Sequence, residues 1–189
     1  MVMDLLYILI PTTKSRRDRL AKCIQSIKDN VSIPHAIVTY ENSRGGFVPA
    51  IHDMLKGING LVWAIGDDTI VDSNGVDVMF NKFKEIDDDN KVIQPDDTIL
   101  HGSVITMPMC DARVLERYTY KGYLHWGADV EFTDIIKRQG NYVYMPEVVI
   151  KHLHWVNGQA PIDETYARNN KTNDADLALY RERKKNGLI

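Results

Sequence analysis

The chain of 189 residues holds only two cysteines, Cys23 and Cys110, and no Cys-x-x-Cys pair. That excludes a zinc ribbon and a disulfide framework. It has no excess of positive charge either: 23 Lys and Arg stand against 26 Asp and Glu, net −3. A chain built to hold nucleic acid needs a basic surface, so nucleic acid is not the expected partner. No apolar run reaches the roughly 18 residues that a transmembrane span requires. Asp4 sits where a signal peptide carries Lys or Arg, and the apolar stretch after it is short. The N-terminus therefore reads as a first strand, and the protein as soluble and cytoplasmic. Internal repeats and low-complexity tracts are missing too.

What is present alternates. LLYILI, residues 5–10, is a buried strand. Ser15 follows as a candidate helix cap, with Asp18 three residues on to close a capping box. Leu20, Cys23, Ile24 and Ile27 then recur at helical spacing. AIVTY (36–40) is a second strand, and Pro49 marks the start of a second helix that turns Ala50, Ile51, Met54, Leu55 and Ile58 inward. LVWAI (61–65) is a third strand, with Trp63 in the core. The order β-α-β-α-β predicts a parallel sheet with crossover helices.

The second half differs. Residues 73–84 read as a helix carrying Val76, Met79, Phe80 and Phe83, and KEIDDDNK as a solvated acidic turn without EF-hand spacing. Short strands of mixed direction are expected over 92–107. A helix then opens at Asp129 and stops at Gly140, followed by a strand, a break at Pro146 and another strand. The segment 156–189 is polar and poor in anchors, and reads as a lid or tail beside a main domain of residues 1–155. Its RERKK run is a solvated helix end or a contact for anionic lipid.

Parallel strands share one carboxyl edge, where ligands of open α/β sheets bind. PTTKSR, ENSRGG and GDDT lie there, after the first, second and third strands. Asp67 and Asp68 are adjacent acids at the end of a buried strand, and like charges so placed need a cation between them and a partner. An ordinary turn is the alternative.

Taken in order, strand–PTT, strand–ENS, strand–GDD and then GADVEFTDIIKRQGNYVYMPEVVIKHLHW resemble the inverting nucleotide-sugar glycosyltransferases of family two. The resemblance covers roughly residues 5–155 and is most specific in the long second segment. It implies the GT-A fold, a Rossmann-like α/β domain with a mostly parallel central sheet flanked by helices and a small mixed second sheet. By the same resemblance Pro11, Thr12, Thr13, Glu41 and Asp67 contact the nucleotide or donor sugar. Asp68 and His152 hold a divalent cation, Mn2+ or Mg2+, and Asp129 is the catalytic base of a hexosyltransferase. His154, Trp126 and Arg16 are further candidates. Four departures stand out. Gly66 replaces the first acid of the Asp-x-Asp element, Ala128 replaces the Glu of the Glu-Asp pair, Glu41 stands for an Asp, and Ile51 for an Arg.

The chemistry of those residue types agrees. A departing nucleoside diphosphate carries about two negative charges, which a divalent cation on carboxylate and imidazole ligands neutralises. An inverting transfer needs a base on the acceptor hydroxyl, and a carboxylate at a helix N-terminus is kept charged by the helix dipole. Asp129 as a plain cap is the alternative. Arg16, Arg17 and Arg19 offer one reach to the diphosphate or form a solvated face. His125, beside Trp126, is a candidate acceptor contact, and the acceptor class, glycan, lipid-linked or protein, is open. Two competing functions remain. One is a nucleotidyltransferase, against which the glycine-free PTTKSRRD loop counts. The other is a non-catalytic nucleotide-sugar-binding domain.

Overall fold

A computed structural model describes residues 5–42 and 46–189. Asp4, and residues 43–45 of the ENSRGG loop, lie outside the described residues. Strand β1 (Leu6–Thr12) lies beside β2 (His35–Glu41) and β3 (Leu61–Ala64), parallel to both. The sheet continues through β6 (Met109–Asp111), β5 (Val92–Asp96) and β7 (Tyr142–Val149), in the order β2-β1-β3-β6-β5-β7. Strand β6 runs antiparallel to both of its neighbours, while β5 and β7 are parallel.

Alternation along the strands assigns the two faces. Ile8 and Ile10 of β1, Trp63 of β3 and Met109 of β6 point one way. There they meet Cys23 and Ile27 of α1 (Arg17–Asn30) and Val76, Met79 and Phe80 of α3 (Gly75–Glu85). Leu9, Val62, Ala64 and Cys110 point the other way. Their partners are Ile51 and Met54 of α2 (Phe47–Met54), Leu115 of α4 (Ala112–Tyr118), and Phe132 and Ile136 of α5 (Ala128–Gln139). The period of two that writes a strand thus writes a three-layer sandwich with helices on both faces.

A second, two-stranded antiparallel sheet joins β4 (Thr69–Ile70) to β8 (Lys151–His152). This small element positions the site. Thr69 pairs with His152, so the residue after Asp68 is stitched to a strand from the far end of the chain.

Two local expectations are corrected and a third is met in part. Ser15 caps nothing: a 3₁₀ turn over Lys14–Arg16 precedes α1, and the Ser15 hydroxyl faces Thr13 Oγ1 at 3.2 Å. Helix α2 starts at Phe47, which puts Pro49 at its third residue. Pro146 does not end β7, an edge strand that can carry a residue without an N–H. The expected break falls in its pairing: Met145 is opposite Pro95 and Val149 opposite Asp96, so Pro146, Glu147 and Val148 lie between two successive partners on β5. Beyond a 3₁₀ turn at Trp155–Asn157, residues Glu164–Lys185 form a helix of 22 residues, α6. Its apolar anchors are few, Leu179 and Tyr180 packing against Val48, Tyr123 and Ala128, and polar groups add to them. Asp163 caps it through Tyr166 N–H at 2.9 Å. Tyr180 and Lys184 both reach Asp134 of α5 at 2.7 Å. Among the described residues no helix is long and apolar enough to cross a membrane.

Candidate functional site

The polypeptide leaves β3 at Ala64, turns at Gly66 and buries Asp67 and Asp68 almost completely. The cation between them is Arg16. Its Nη1 lies 3.0 Å from Asp67 Oδ1 and 3.5 Å from Asp68 Oδ2. Asp67 Oδ2 also accepts from the Thr12 hydroxyl at 2.7 Å. On Asp68, Oδ1 faces His152 Nε2 at 3.3 Å and Oδ2 accepts from Tyr166 at 2.5 Å. Burial pushes the Asp68 carboxyl up, but His152, Tyr166 and Arg16 outweigh it and hold it well below the usual range. Its partner shifts the opposite way: burial lowers His152, and Asp68 more than restores it to a raised value. Asp67 stays raised because burial and the Asp68 charge exceed the help from Arg16.

Gly66 explains the missing acid. A Cβ there would collide with Asp68 Oδ1, so the carboxylate that faces His152 occupies the space a side chain at 66 would take. The loop 96–101 supports His152 from below. Thr98 and His101 both adopt positive φ, 62° and 47°, and Asp97 holds that turn by accepting the N–H groups of Ile99, Leu100 and His101. Thr98 Oγ1 then receives the His152 N–H at 3.5 Å.

Helix α6 roofs this constellation. The remaining guanidinium nitrogens of Arg16 donate to Asp163, Nε at 2.9 Å and Nη2 at 3.1 Å. Thr165 Oγ1 meets Thr13 Oγ1 at 3.2 Å. The Tyr166 ring lies under the guanidinium of Arg16, 4.1 Å away, and packs on His154 with centroids 4.5 Å apart. Burial and the His152 charge bring His154 down to about 4, so its imidazole is neutral. A cleft of about 170 Å³ opens beside this roof, with Arg19, Lys22, Asp67, Asp68, Gln159 and Pro161 among its lining.

Asp129 is the second residue of α5 and not its cap, a position taken by Gly127 at φ 83°. Its Oδ1 accepts from the Val130 N–H at 2.9 Å. Burial raises its carboxyl to about 6, and the first-turn N–H groups only partly oppose this. Trp126, just ahead, is 38% exposed. Burial brings the neighbouring His125 down to about 4, against the opposing charges of Asp176 and Asp68.

Of the expected site residues, the structure gathers Thr12, Thr13, Asp67, Asp68, His152, His154 and Arg16 into one contact network. Pro11 is in register with Tyr40 at the same edge. Glu41 is in register with Thr12 at that edge, with its side chain paired to the exposed Arg17 at 3.2 Å. Sequence reading missed Asp163 and Tyr166. Both sit in a polar stretch with no periodicity, and only the D-x-x-Y start of a helix marked them. Among the described residues, no three His, Cys, Asp or Glu side chains are grouped to hold a metal ion. Asp68 and His152 fit a cation as a two-ligand set: one carboxylate and one imidazole whose Nδ1 is buried without a hydrogen-bond partner among the described residues.

No protein-family model matches the sequence, and no curated protein matches it. Solved structures do match the fold. A mutant Drosophila β1,4-galactosyltransferase 7 in complex with manganese, UDP-Gal and xylobiose aligns with a TM-score of 0.60 and 12% identity, over 87% of this chain and 79% of that one. A Pyrobaculum calidifontis mannosyltransferase in complex with GDP-Man and Mn2+ aligns at 0.59 and 15%, over 86% and 59%. S. aureus TarS aligns at 0.60 and 10%, over 94% and 43%. At these identities the likeness speaks for the backbone alone, and the six-stranded sheet with its two-stranded partner is that backbone: the chain has the GT-A fold of the nucleotide-sugar glycosyltransferases.

Proposed function

We propose that the chain is a divalent-cation-dependent, inverting glycosyltransferase that moves a hexosyl group from a nucleoside-diphosphate sugar to an acceptor hydroxyl. The observation that carries this is the β4–β8 pairing, which delivers His152 to Asp68 at the carboxyl edge of a GT-A sheet. Asp68 and His152 would hold the cation, whose chemistry is to neutralise the departing diphosphate. Thr12, Thr13 and Pro11 border the place of the nucleotide, with Asp67 toward the ribose or sugar, and Arg16 is charged and within reach of a phosphate once released from the acids. Asp129, raised to about 6, is poised as a base that takes the acceptor proton near neutral pH. Residues 156–170 act as the lid: Asp163 and Tyr166 lie on the groups the donor needs, so the first turn of α6 must lift to admit it.

The donors of the neighbouring structures, UDP-Gal and GDP-Man, are the first probes. Nucleoside diphosphate should bind much more tightly with manganese than with a chelator, and Asp68→Ala should erase the difference. Equal affinity in both conditions removes the cation from the mechanism. One observation favours a second reading, a nucleotide-sugar-binding domain without catalysis: Arg16, His152 and Tyr166 already satisfy Asp68. Manganese-dependent hydrolysis of the donor separates the two.

A further inference from the structure

The segment Leu124–Gly127 carries His125 and Trp126 and leads into the helix of Asp129, yet it has no secondary structure of its own to hold it. Its backbone is pinned from two sides. From α2, the Val48 N–H donates to the Leu124 carbonyl at 3.2 Å. From the middle of α6, the Asp176 carboxylate accepts the N–H of Leu124 at 3.2 Å and that of His125 at 2.8 Å. Asp176 is only 4% exposed and takes part in no ion pair among the described residues. A buried carboxylate without a cation is costly unless its hydrogen bonds hold it. Contact between α6 and the loop continues at Gly127, where a Cβ would lie 3.1 Å from the Asp176 carbonyl oxygen and 3.0 Å from the Tyr123 ring.

One turn into α5, Glu131 is 1% exposed and accepts from Tyr123 at 2.6 Å. Arg183 of α6 grips the same carboxylate with Nε at 2.8 Å and Nη2 at 2.9 Å. The loop thus leaves one α6 anchor, Asp176, and enters another, Arg183, with Asp129 between them. Within this frame the His125 ring packs edge-on to Phe47, and its buried Nδ1 has no hydrogen-bond partner among the described residues. An orphan acceptor or donor in so constrained a loop is a place for a ligand group.

We propose that Asp176 is the positioning residue for the acceptor side of the site, fixing the 124–127 backbone so that His125, Trp126 and Asp129 meet the acceptor in register. This rests on the reading of Asp129 as the base. Asp176 does not touch substrate and acts through two amides. Misplacing a reacting group by about 1 Å costs on the order of 100-fold in rate.

Asp176→Asn and Asp176→Ala test it. Asn keeps one acceptor oxygen and turns an amide N–H against the other donor, so it loosens the loop more gently than Ala. Hydrogen exchange on the full chain reads the loop directly: the amides of Leu124 and His125 should lose protection by roughly 5- to 100-fold, while those in the middle of α5 hold. With UDP-Gal or GDP-Man and manganese, donor hydrolysis should persist. Transfer to a panel of simple glycosides should fall by roughly 10- to 100-fold. Loop amides that stay protected in both variants overturn the inference. So does a loosened loop with an unchanged ratio of transfer to hydrolysis. Failure of the underlying reading shows elsewhere, as an Asp129→Asn variant that transfers like the wild type.

Discussion

Arg16 Nη1 lies 3.0 Å from Asp67 Oδ1, with both side chains almost wholly shielded from water. A buried ion pair of this kind is weak evidence of stabilisation, but removing one partner strands the other. Arg16→Met should therefore destabilise the protein by about 3–5 kcal/mol, since it leaves two buried carboxylates facing each other. Urea unfolding measures this. Manganese should restore more stability to Arg16→Met than to the wild type, because the acids are then free to take it. A variant as stable as the wild type, with no manganese response, shows that Arg16 is not their counter-ion.

Tyr166→Phe keeps the ring beneath Arg16 and removes only the hydroxyl that donates to Asp68 at 2.5 Å. Stability without ligand should drop by about 1–3 kcal/mol, the charge-assisted hydrogen bond being lost. Nucleoside diphosphate with manganese should bind faster and tighter, since one closing contact of α6 is gone. Weaker binding in Tyr166→Phe means that the tyrosine serves the donor and does not bar it.

A carboxyl raised to about 6 gives Asp129 two opposite signatures. Its folded form holds the proton more tightly than the unfolded chain, whose carboxyl titrates near ~3.9. Stability from this group is thus complete below the unfolded value and is lost as pH rises toward and through 6. Asp129→Asn should gain roughly 2–3 kcal/mol relative to the wild type at pH 8 and nothing at pH 4. Transfer runs the other way: it needs the ionised base, rises with pH through about 6, and falls by roughly 10²–10⁴-fold in the Asn variant. Stability curves across pH and a pH–rate profile read the two signatures separately. A rate that ignores both pH and the substitution sinks the base assignment.

Gly66→Ala puts a methyl group where Asp68 Oδ1 now lies. The carboxylate must rotate away from His152, so the His152 imidazole should titrate lower than in the wild type, because burial is left to act without its counter-charge. Histidine NMR titration shows this. An unmoved His152 resonance would mean that Asp68 has slack to spare.

The sequence made the sheet edge legible because strands and crossover helices follow short-range periodicity, as Ile8, Leu9 and Ile10 show by parting to opposite cores. Asp67 and Asp68 were legible as a pair in need of a cation. That the cation is Arg16 was not, since an Arg at the very start of a helix looks the same whether it faces water or folds back over the sheet. Helix α6 was illegible for a different reason. Apart from Leu179 and Tyr180, its hold on the protein rests on polar contacts, Asp163 with Arg16, Asp176 with two amides and Arg183 with Glu131, and such contacts leave no apolar period to read. Pro146 was legible in part: the strand runs on because an edge strand has N–H groups to spare, yet its pairing with β5 lapses at the proline.

The pairing of Thr69 with His152 also orders events in time. During synthesis β1, β2 and β3 can form their parallel core as soon as they emerge, N-terminal elements first. Asp68 then waits, with Arg16 its earliest available cation, until the chain has reached residue 152. Contacts between such distant points form late, because the intervening loop must be closed before they are rewarded. A ribosome-bound fragment ending just before β8 should therefore carry all six strands of the main sheet and yet no imidazole at its acids. Arrested chains of increasing length, probed for manganese-dependent protection from protease, should gain that protection abruptly once His152 is exposed, so competence to bind the cation would be among the last properties the nascent protein acquires.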